Sequence, residues 1–269
     1  MGATSESFVL TEVVDRIGWI TLNEPARLNP IAPSRIRELN EACRSLSARD
    51  DVRVVVITGA GRGFCSGADF DAPYERPGPA SDSLLDLSPG LWTLTAMRQP
   101  VIAMVNGPAV GYGAELAMQA DFRIVGTSAL FLLPFSELGV VSDTGAATWL
   151  LPRLIGWSKA AELLYCSRRI TGAEAVAIGL ANYVVADEEL RAFTDKFATD
   201  LASRSALALT QLKQMIFGGL DERKAEHVLG QHLRFQHRDP SVDVTEYAAR
   251  ARGGSRPRPQ PAHDAPRET

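Results

Sequence analysis

Two glycine-rich segments hold the residues whose types and spacing could do chemistry. The first covers residues 63–70 (GFCSGADF) and the second covers residues 106–117 (NGPAVGYGAELA). Each follows a short apolar stretch that predicts a β-strand, so its glycines lie where the backbone can turn sharply and approach a ligand. Backbone N–H groups from both turns could converge on one oxygen atom and stabilise negative charge there. From the spacing alone, the simpler interpretation is a pair of tight strand–helix turns.

Acid–base chemistry in most of the chain would have to work without histidine. All four histidines lie at or after residue 227. An active site built from earlier residues therefore depends on other groups, and carboxylates are the natural choice. His227, His232 and His237 recur every five residues, whereas one helix face needs a spacing of three or four, so we expect solvated helix positions there and no metal site.

Composition narrows the class of protein and of partner. The 269 residues include 28 Lys+Arg and 32 Asp+Glu, which give a net charge of −4 and argue against nucleic-acid or membrane-surface binding. The three cysteines are odd in number and lack CxxC spacing, which indicates a reducing compartment rather than a disulfide framework. The N-terminus has no signal-peptide pattern, and the most apolar window, 100–120, is too interrupted to span a bilayer. We therefore expect a cytoplasmic protein.

The elements that must position the two loops form a repeating α/β pattern. Residues 8–22 alternate apolar and polar side chains around a turn at 15–16, which predicts a hairpin. A strand, a glycine loop and a helix then occur twice, which indicates stacked α/β units. The predicted elements that follow the hairpin are a helix at 33–48, a strand at 52–58, a helix at 91–98, a strand at 101–105, a loop at 106–113, a helix at 114–119, and strands at 122–125 and 130–133. From residue 144 the pattern is almost entirely helical, with one extended interruption at 179–185.

Common nucleotide and nucleophile motifs fail. The segment 59–64 (GAGRGF) follows a strand, but Phe64 takes the place of the third glycine of a GxGxxG dinucleotide motif. The chain contains neither a GxxxxGK[ST] phosphate loop nor a GxSxG nucleophile elbow. The two glycine loops are therefore better interpreted together.

Six segments carry a resemblance to a known family. The segments 64–69 (FCSGAD) and 106–117 closely resemble the paired signatures of the crotonase superfamily, the enoyl-CoA hydratases and isomerases. The supporting matches, in chain order, are 23–30 (NEPARLNP), 134–139 (PFSELG), 151–156 (LPRLIG) and 175–185 (AVAIGLANYVV). The resemblance runs from about Phe8 to Arg252.

The resemblance implies an α/β fold, the crotonase spiral of repeated ββα units. We expect a spiral core over 1–200 and a C-terminal helical trimerisation region over 201–252, through which relatives assemble. A homotrimer or homohexamer is therefore expected. Residues 253–269 contain four prolines and almost no large apolar residue, which predicts a disordered tail.

The resemblance also implies the shared chemistry. In the family, two backbone N–H groups hold the thioester carbonyl of an acyl-CoA and stabilise an enolate. By motif position, the donors are those of Ala68, after Gly67, and of Tyr112, after Gly111. The CoA thioester is the substrate, so no cofactor and no metal is expected.

The acid–base groups decide the reaction. Glu115 occupies the position of the first catalytic glutamate of the hydratases, although a capping role in the first helical turn is the simpler interpretation without the resemblance. Phe135 occupies the position of the second glutamate and cannot transfer a proton. Asp143 lies where family isomerases carry a carboxylate, whereas Glu137 matches no catalytic position and is expected at the surface. The predicted catalytic pair is therefore Glu115 and Asp143.

Positions for the CoA moiety and the acyl chain follow from the same resemblance. The predicted substrate-binding residues are Arg27, Leu28, Ser66, Gly67, Phe70, Gly111 and Phe135. Some hydratases have a phosphate-binding lysine where this chain has Asp71. Arg27 is one candidate substitute, and Arg250 or Arg252 from the C-terminal helices is another.

Three functions remain open at this point. The first expectation is hydration of a 2-enoyl-CoA by the two carboxylates. The second is an enoyl- or dienoyl-CoA isomerase with Asp143 as its base, which the loss of the second glutamate favours. The third is a non-catalytic acyl-CoA-binding scaffold, against which the presence of both carboxylates argues. Dehalogenation is disfavoured because the chlorobenzoyl-CoA dehalogenases of the family use a histidine in the N-terminal half of the chain. This chain has no histidine there.

Overall fold

The structure is a computed structural model that describes residues 7–69, 71, 92–139, 142 and 146–218. Its strands are β1 (Val9–Val14), β2 (Ile17–Leu22), β3 (Val54–Gly59), β4 (Val101–Val105), β5 (Pro108–Val110), β6 (Phe122–Gly126), β7 (Leu130–Leu132), β8 (Ile170–Thr171) and β9 (Tyr183–Val185). Its α-helices are α1 (Pro33–Ala48), α2 (Thr93–Ala96), α3 (Tyr112–Met118), α4 (Ala146–Ile155), α5 (Trp157–Tyr165), α6 (Gly172–Ala177), α7 (Leu190–Ala202) and α8 (Ala206–Gly218). Short 3₁₀ helices cover Pro25–Arg27 and Asp187–Glu189.

Six strands form the larger of two sheets, in the order β1-β2-β3-β4-β6-β9. The first two are the predicted hairpin, whose turn residues Asp15 and Arg16 have φ values of 48° and 69°. Both residues are thus left-handed, as the two-residue turn that matches strand twist requires. Every other neighbouring pair is parallel.

The two faces of the large sheet pack against different partners. Along β3, Val55 and Ile57 belong to the main hydrophobic core, which also includes Leu39 of α1. The alternate residues Val54 and Val56 belong to a second core, which α7 covers. Because successive side chains of a strand point to opposite faces, a strand between two cores needs an unbroken apolar run, and VVVIT supplies it.

A smaller sheet lies beside the large one and consists of β5, β7 and β8. Two single-residue parallel bridges extend it, Cys65 with Ala109 and Ile31 with Ala68. The first glycine loop is therefore partly extended backbone that joins the small sheet. Sequence analysis assigned residues 106–113 to a loop and missed β5, because three residues are too few to show a period.

The chain repeats one path between the two sheets. After β2 it reaches the small sheet at Ile31 and enters α1, and after β4 it continues into β5 and α3. The run of β6, β7 and α4 has the same order. The predicted spiral of ββα units is confirmed, since each of these runs passes from a strand of the large sheet to extended backbone beside the small sheet before its helix.

The predicted C-terminal region is described only in its first part. In that part α7 ends at Ala202 and α8 runs over Ala206–Gly218. Residues 219–269 lie outside the described residues, and with them all four histidines and the tail. The domain divisions at 200 and 252 stay predictions.

A buried ion pair fixes α8 to the rest of the fold. The Nζ atom of Lys213 lies 2.8 Å from the Asp121 carboxylate and donates to the carbonyls of Leu94 and Gln99, both at 3.0 Å. The same carboxylate accepts from the Val101 N–H at 2.7 Å. Burial lowers the pKa of Lys213, and the facing carboxylate opposes this shift. One side chain on α8 thus binds two carbonyls in the segment before β4 and the carboxylate that directly precedes β6.

We expect Lys213→Met to lower the free energy of unfolding by about 3 kcal/mol, because it leaves a largely buried carboxylate without its cation. Urea denaturation measures the change. The matched control is Lys159→Met, which breaks an exposed pair with Glu162 and should cost less than about 0.5 kcal/mol. Equal losses in the two variants would contradict the anchoring role of Lys213.

Candidate functional site

The two glycine-rich loops lie side by side and share backbone hydrogen bonds. The N–H groups of Phe64 and Cys65 both donate to the Pro108 carbonyl at 3.1 Å. In the opposite direction, Val110 N–H donates to the Cys65 carbonyl at 2.9 Å. The two loops are thus neighbours, because the first loop pairs with β5 of the second.

Two glycines allow this close approach. A Cβ atom added to Gly67 would lie 2.6 Å from the Val110 carbonyl oxygen, and Gly67 has a φ of +91°. A Cβ atom added to Gly113, in the first turn of α3, would lie 2.1 Å from the Cys65 carbonyl oxygen. Both obstacles are backbone atoms, so the loops pack at a distance that only glycine permits.

The peptide between Gly67 and Ala68 has a fixed orientation. Its carbonyl accepts a hydrogen bond from Ile31 N–H at 2.7 Å, and the next residue, Asp69, donates its N–H to the Ile31 carbonyl at 2.8 Å. In a trans peptide the C=O and N–H vectors are antiparallel, so the Ala68 N–H points away from Ile31. Ala68 is exposed, and within the described ranges its N–H makes no hydrogen bond.

Tyr112 brings the second predicted donor to the same place. It is the first residue of α3, and the preceding Gly111 has φ 50° and ψ −117°. A Cβ atom on Gly67 would lie 3.7 Å from the Tyr112 nitrogen, so the Gly67–Ala68 peptide and the start of α3 are neighbours. The N–H groups of a first helical turn point outward along the axis, where the partial charge is positive.

Glu115 lies one turn into α3 and is completely buried. Its Oε1 atom accepts hydrogen bonds from the Ser142 hydroxyl and, at 3.0 Å, from the N–H of Ala147 in the first turn of α4. A buried carboxylate needs such donors, and the start of a helix favours its negative charge. The carboxylate is therefore held in one orientation behind the predicted donor Tyr112.

Arg123 fixes the other end of α3. Its guanidinium is buried and donates to the carbonyl of Ala120 at 2.6 Å and to that of Leu180 at 2.5 Å. Weaker bonds go to the carbonyls of Ala117 and Met118 at the end of the helix. Burial lowers the pKa of Arg123 to about 10. A cation at the C-terminal carbonyls stabilises the helix that carries Glu115.

The 134–139 turn holds the residue at the position of the second glutamate. Phe135 is half-buried and packs against the main core, whereas Glu137 is exposed, as sequence analysis predicted. The Ser136 hydroxyl anchors the turn by donating to the Tyr165 carbonyl at 3.0 Å. Asp143, the other predicted carboxylate, lies outside the described residues, so its role stays a prediction.

Arg27 is bound by carboxylates. Its guanidinium makes a two-armed contact with Asp69 at 2.6 and 3.0 Å and reaches Asp71 at 2.7 Å. Glu24 lies within 3.4 Å of the same group. The hydrogen bonds from Arg27 hold the pKa of Asp69 below its usual range. A phosphate bound here would have to compete for a guanidinium that is already engaged.

Two further predicted substrate-binding residues adjoin Arg27. Leu28 is left-handed, with a φ of 61°, and its carbonyl accepts from the N–H of Ser66 at 2.9 Å. The Ser66 hydroxyl donates to the Arg27 carbonyl at 3.2 Å. The predicted residues Arg27, Leu28 and Ser66 are thus brought together, whereas Phe70 lies outside the described residues.

Several side chains that support the two loops were not predicted from the sequence. The buried Asn29 accepts from Glu24 N–H at 2.8 Å and donates to the Gly63 carbonyl at 2.9 Å, which ties the 24–29 segment to the first glycine loop. Ser142 and Asp69 were also missed. The signal for Asn29 was its place in the NEPARLNP segment, while contacts between distant segments leave no local pattern.

The described residues also bear on three other features, namely a cysteine nucleophile, a metal site and a membrane-spanning helix. Burial raises the pKa of the Cys65 thiol, in the first glycine loop, to about 12, so this cysteine is not suited to act as a thiolate nucleophile. No group of three or more metal-ligating side chains occurs among the described residues. No helix of the described part of the chain is both long and apolar enough to cross a bilayer.

Comparison with known sequences gives one consistent result. A family model described as "Enoyl-CoA hydratase/isomerase" matches residues 12–248. The chain is 39% identical over 215 residues to the "Probable enoyl-CoA hydratase echA12" of Mycobacterium leprae (strain TN), which covers 76% of this chain and 72% of the relative. It is 36% identical over 214 residues to the "1,2-epoxyphenylacetyl-CoA isomerase" of Escherichia coli (strain K12), and the alignment covers 78% of this chain and 81% of that relative.

Comparison with solved structures agrees. A crystal structure of a probable enoyl-CoA hydratase/isomerase from Mycobacterium abscessus superposes with a TM-score of 0.80 at 34% identity, covering 92% of this chain and 96% of that one. A monofunctional enoyl CoA isomerase from M. smegmatis superposes with a TM-score of 0.70 at 33% identity. The match covers 82% of this chain and 97% of that one.

We expect Gly67→Ala to lower the free energy of unfolding by about 3 kcal/mol, since the new Cβ meets a backbone oxygen and the backbone is left-handed. Gly139→Ala is the control, because Gly139 has a φ of +67° but its added Cβ would meet nothing within 4 Å. It should cost about 1 kcal/mol. Urea denaturation compares the two, and equal costs would show that the close approach of the loops is not what position 67 requires.

Proposed function

Since the chain belongs to the enoyl-CoA hydratase/isomerase family, we propose that it takes an acyl-CoA thioester as substrate and shifts a carbon–carbon double bond of the acyl chain. The N–H groups of Ala68 and Tyr112 hold the thioester oxygen in this proposal. The observation that carries the choice of reaction is the combination of one buried carboxylate, Glu115, with a half-buried phenylalanine at position 135. No acid–base group stands where a second glutamate would complete a hydratase site.

The proposed reaction needs one base and one oxyanion site. A carboxylate removes a proton from Cα of a 3-enoyl thioester, and the electron pair of that C–H bond enters a dienolate. The negative charge collects on the thioester oxygen, between the two N–H donors. The carboxylic acid then returns the proton to Cγ, which leaves the double bond between Cα and Cβ. No atom is gained or lost.

Two carboxylates are candidates for this base. Glu115 is buried one turn beyond Tyr112, and its Oε1 is held by Ser142 and by the Ala147 N–H. The resemblance assigns the base of the isomerases to Asp143. Because the two act from different segments, single substitutions separate them.

Hydration of a 2-enoyl-CoA is the second candidate. Sequence analysis placed it first, and Glu115, at the position of the first hydratase glutamate, favours it. Addition of water uses one group to orient the water at Cβ and one to protonate Cα. With Phe135 in place of the second glutamate, Asp143 would have to serve as the partner of Glu115.

One experiment separates the candidates. The purified protein is given 3-hexenoyl-CoA and, separately, 2-hexenoyl-CoA, and the absorbance of the conjugated thioester is followed. A double-bond shift raises the absorbance with the first substrate, and hydration removes it with the second. A non-catalytic acyl-CoA-binding scaffold changes neither, and that outcome would refute the proposal.

Assembly and location form part of the proposal. We expect a homotrimer or homohexamer, which would cover large apolar side chains such as Trp157, Tyr165 and Ile216, exposed at 75%, 70% and 65% in the single chain. Light scattering should then give three or six times the chain mass of 29.1 kDa. A monomeric mass would contradict this part alone. The expected cytoplasmic location and the absence of a cofactor or metal stay predictions.

We expect Glu115→Gln and Asp143→Asn to identify the base, because an amide of the same shape cannot accept the substrate proton. The variant that removes the base should lower kcat for 3-hexenoyl-CoA by about 100-fold or more. Glu137→Gln is the control, since Glu137 is exposed on the neighbouring turn, and it should stay within about 2-fold of wild type. Full activity in both carboxylate variants would show that the site is assigned wrongly.

We expect Phe135→Glu to favour hydration, since it restores a carboxylate at the position of the second hydratase glutamate. The ratio of hydration to double-bond shift should rise by about 10-fold, measured with the two hexenoyl-CoA substrates. Phe135→Leu is the control, because it changes packing without adding an acid–base group. A rise of the same size in both variants would mean that pocket shape, rather than the missing carboxylate, selects the reaction.

A further inference from the structure

We propose that Asp69 is a positioning residue whose carboxylate fixes the direction of the Ala68 N–H. The inference rests on the proposed function, because it takes Ala68 as a donor to the thioester oxygen. It goes further in naming the side chains that aim this donor, namely Asp69 together with Arg27 and Arg35.

Backbone bonds alone hold Ala68 on one side. Its neighbours Gly67 and Asp69 each share a single hydrogen bond with Ile31, at 2.7 and 2.8 Å. The pairing of Ile31 with Ala68 is an isolated bridge and not part of a longer strand pair. The single hydrogen bond at its carbonyl sets the direction of the Gly67–Ala68 peptide, but hydrogen-bond angles vary, so a side-chain restraint on the next residue narrows that direction further.

The carboxylate of Asp69 supplies that restraint. It is only 5% exposed and makes a two-armed contact with Arg27, at 2.6 Å to Oδ1 and 3.0 Å to Oδ2. Arg35 donates to Oδ2 at 3.2 Å. The N–H of Asp71 donates to Oδ1 at 3.1 Å. A two-armed guanidinium contact fixes the plane of a carboxylate as well as its position.

The two arginines are themselves anchored on segments that flank Ile31. Arg27 lies in the 3₁₀ helix before it, and Arg35 lies in the first turn of α1 after it. Arg35 also donates to the Pro30 carbonyl at 2.8 Å, and its guanidinium lies 4.6 Å over the Phe8 ring. The Asp69 side chain is thus tied to the same two segments that orient Ile31, so backbone and side chain restrain Ala68 together.

The arrangement acts on the donor more directly than on the fold. Ala68 lies between Gly67 and Asp69, so a shift of the Asp69 backbone moves the Ala68 Cα atom and with it the Gly67–Ala68 peptide that carries the donor. An oxyanion donor acts only within a narrow distance and angle, and loss of one donor typically lowers kcat by about 100- to 1,000-fold. A donor that is present but points in the wrong direction should therefore lower kcat by a part of that loss of about 100- to 1,000-fold.

Asp69→Asn tests the inference. The amide has the same shape, but its NH₂ group faces one arm of Arg27 as donor against donor, which breaks the two-armed contact. For whichever hexenoyl-CoA the wild type converts, we expect kcat to fall about 10- to 100-fold, while KM stays within about 3-fold of the wild-type value. A second readout is the infrared difference spectrum of bound butanoyl-CoA that is labelled with ¹³C at the thioester carbonyl. Wild type should lower the carbonyl frequency below its value in solution. The Asp69→Asn variant should lower it less.

The matched control is Asp71→Asn. Asp71 contacts the same Arg27 at 2.7 Å but is 85% exposed, so kcat and the carbonyl frequency should stay close to wild type. Three results for Asp69→Asn would each overturn the inference. They are a kcat within about 2-fold of wild type, a loss of kcat no larger than that of Asp71→Asn, and an unchanged carbonyl frequency. If Asp69→Asn does not fold, Arg35→Lys keeps the charge but loses the guanidinium contact. Its carbonyl frequency should then move in the same direction, and no movement would overturn the inference.

Failure of the proposed function gives a different result. A wild type that lowers the carbonyl frequency of bound butanoyl-CoA but changes neither hexenoyl-CoA would refute the double-bond shift. The spectrum of Asp69→Asn would still decide whether Asp69 aims the donor. A wild type that leaves the carbonyl at its solution frequency would overturn both, since Ala68 would then not be a thioester donor.

Discussion

The orientation of one peptide plane, between Gly67 and Ala68, constrains the rest of the site. Its carbonyl is committed to Ile31, so its N–H must face the side where β5 ends and α3 begins. That side is crowded, because the Val110 carbonyl lies where a Cβ of residue 67 would be. The two loops can meet only if the spiral brings successive turns into register, which the small sheet does through Cys65 and Ala109.

Buried charge is used in this fold to hold backbone in place. Arg123 binds carbonyls at the end of α3, and Lys213 joins α8 to Asp121, to the Leu94 carbonyl within α2 and to the Gln99 carbonyl after it. A lone buried charge is costly, so each is surrounded by acceptors. Around Arg27 the balance is different, since the carboxylates of Glu24, Asp69 and Asp71 outnumber the two arginines by one. Of these carboxylates, Asp71 is exposed and Asp69 is buried, so Asp69 is the one that the fold holds in place.

The sequence predicted well what depends on local pattern. Helix α1 has the predicted bounds, because Pro33 opens it and its apolar residues recur at helical spacing. Both loops were found from their glycines, and the structure brings Gly67 beside Tyr112. What could not be predicted depends on contacts between distant segments. The three-residue strand β5 is too short for a period, α3 begins at Tyr112 rather than at 114 because Gly111 supplies the turn, and Arg27 binds carboxylates that lie more than forty residues away in the chain.

Backbone donors and side-chain acids contribute to the reaction in separable ways. The proposed N–H donors, Ala68 and Tyr112, depend on glycines and on the sheet register, so they would persist through most side-chain changes and the proposed enolate chemistry with them. The reaction that follows depends on which few side chains reach the substrate. Relatives of similar identity, 39% and 36%, are accordingly named for different reactions, a hydratase and an isomerase. Overall identity therefore cannot select between the two reactions, whereas a phenylalanine at position 135 removes one acid–base group and leaves the oxyanion donors unchanged. In the proposed function, moving a proton between two carbons of one substrate needs one base and no bound water, so it depends on fewer correctly placed side chains than hydration does.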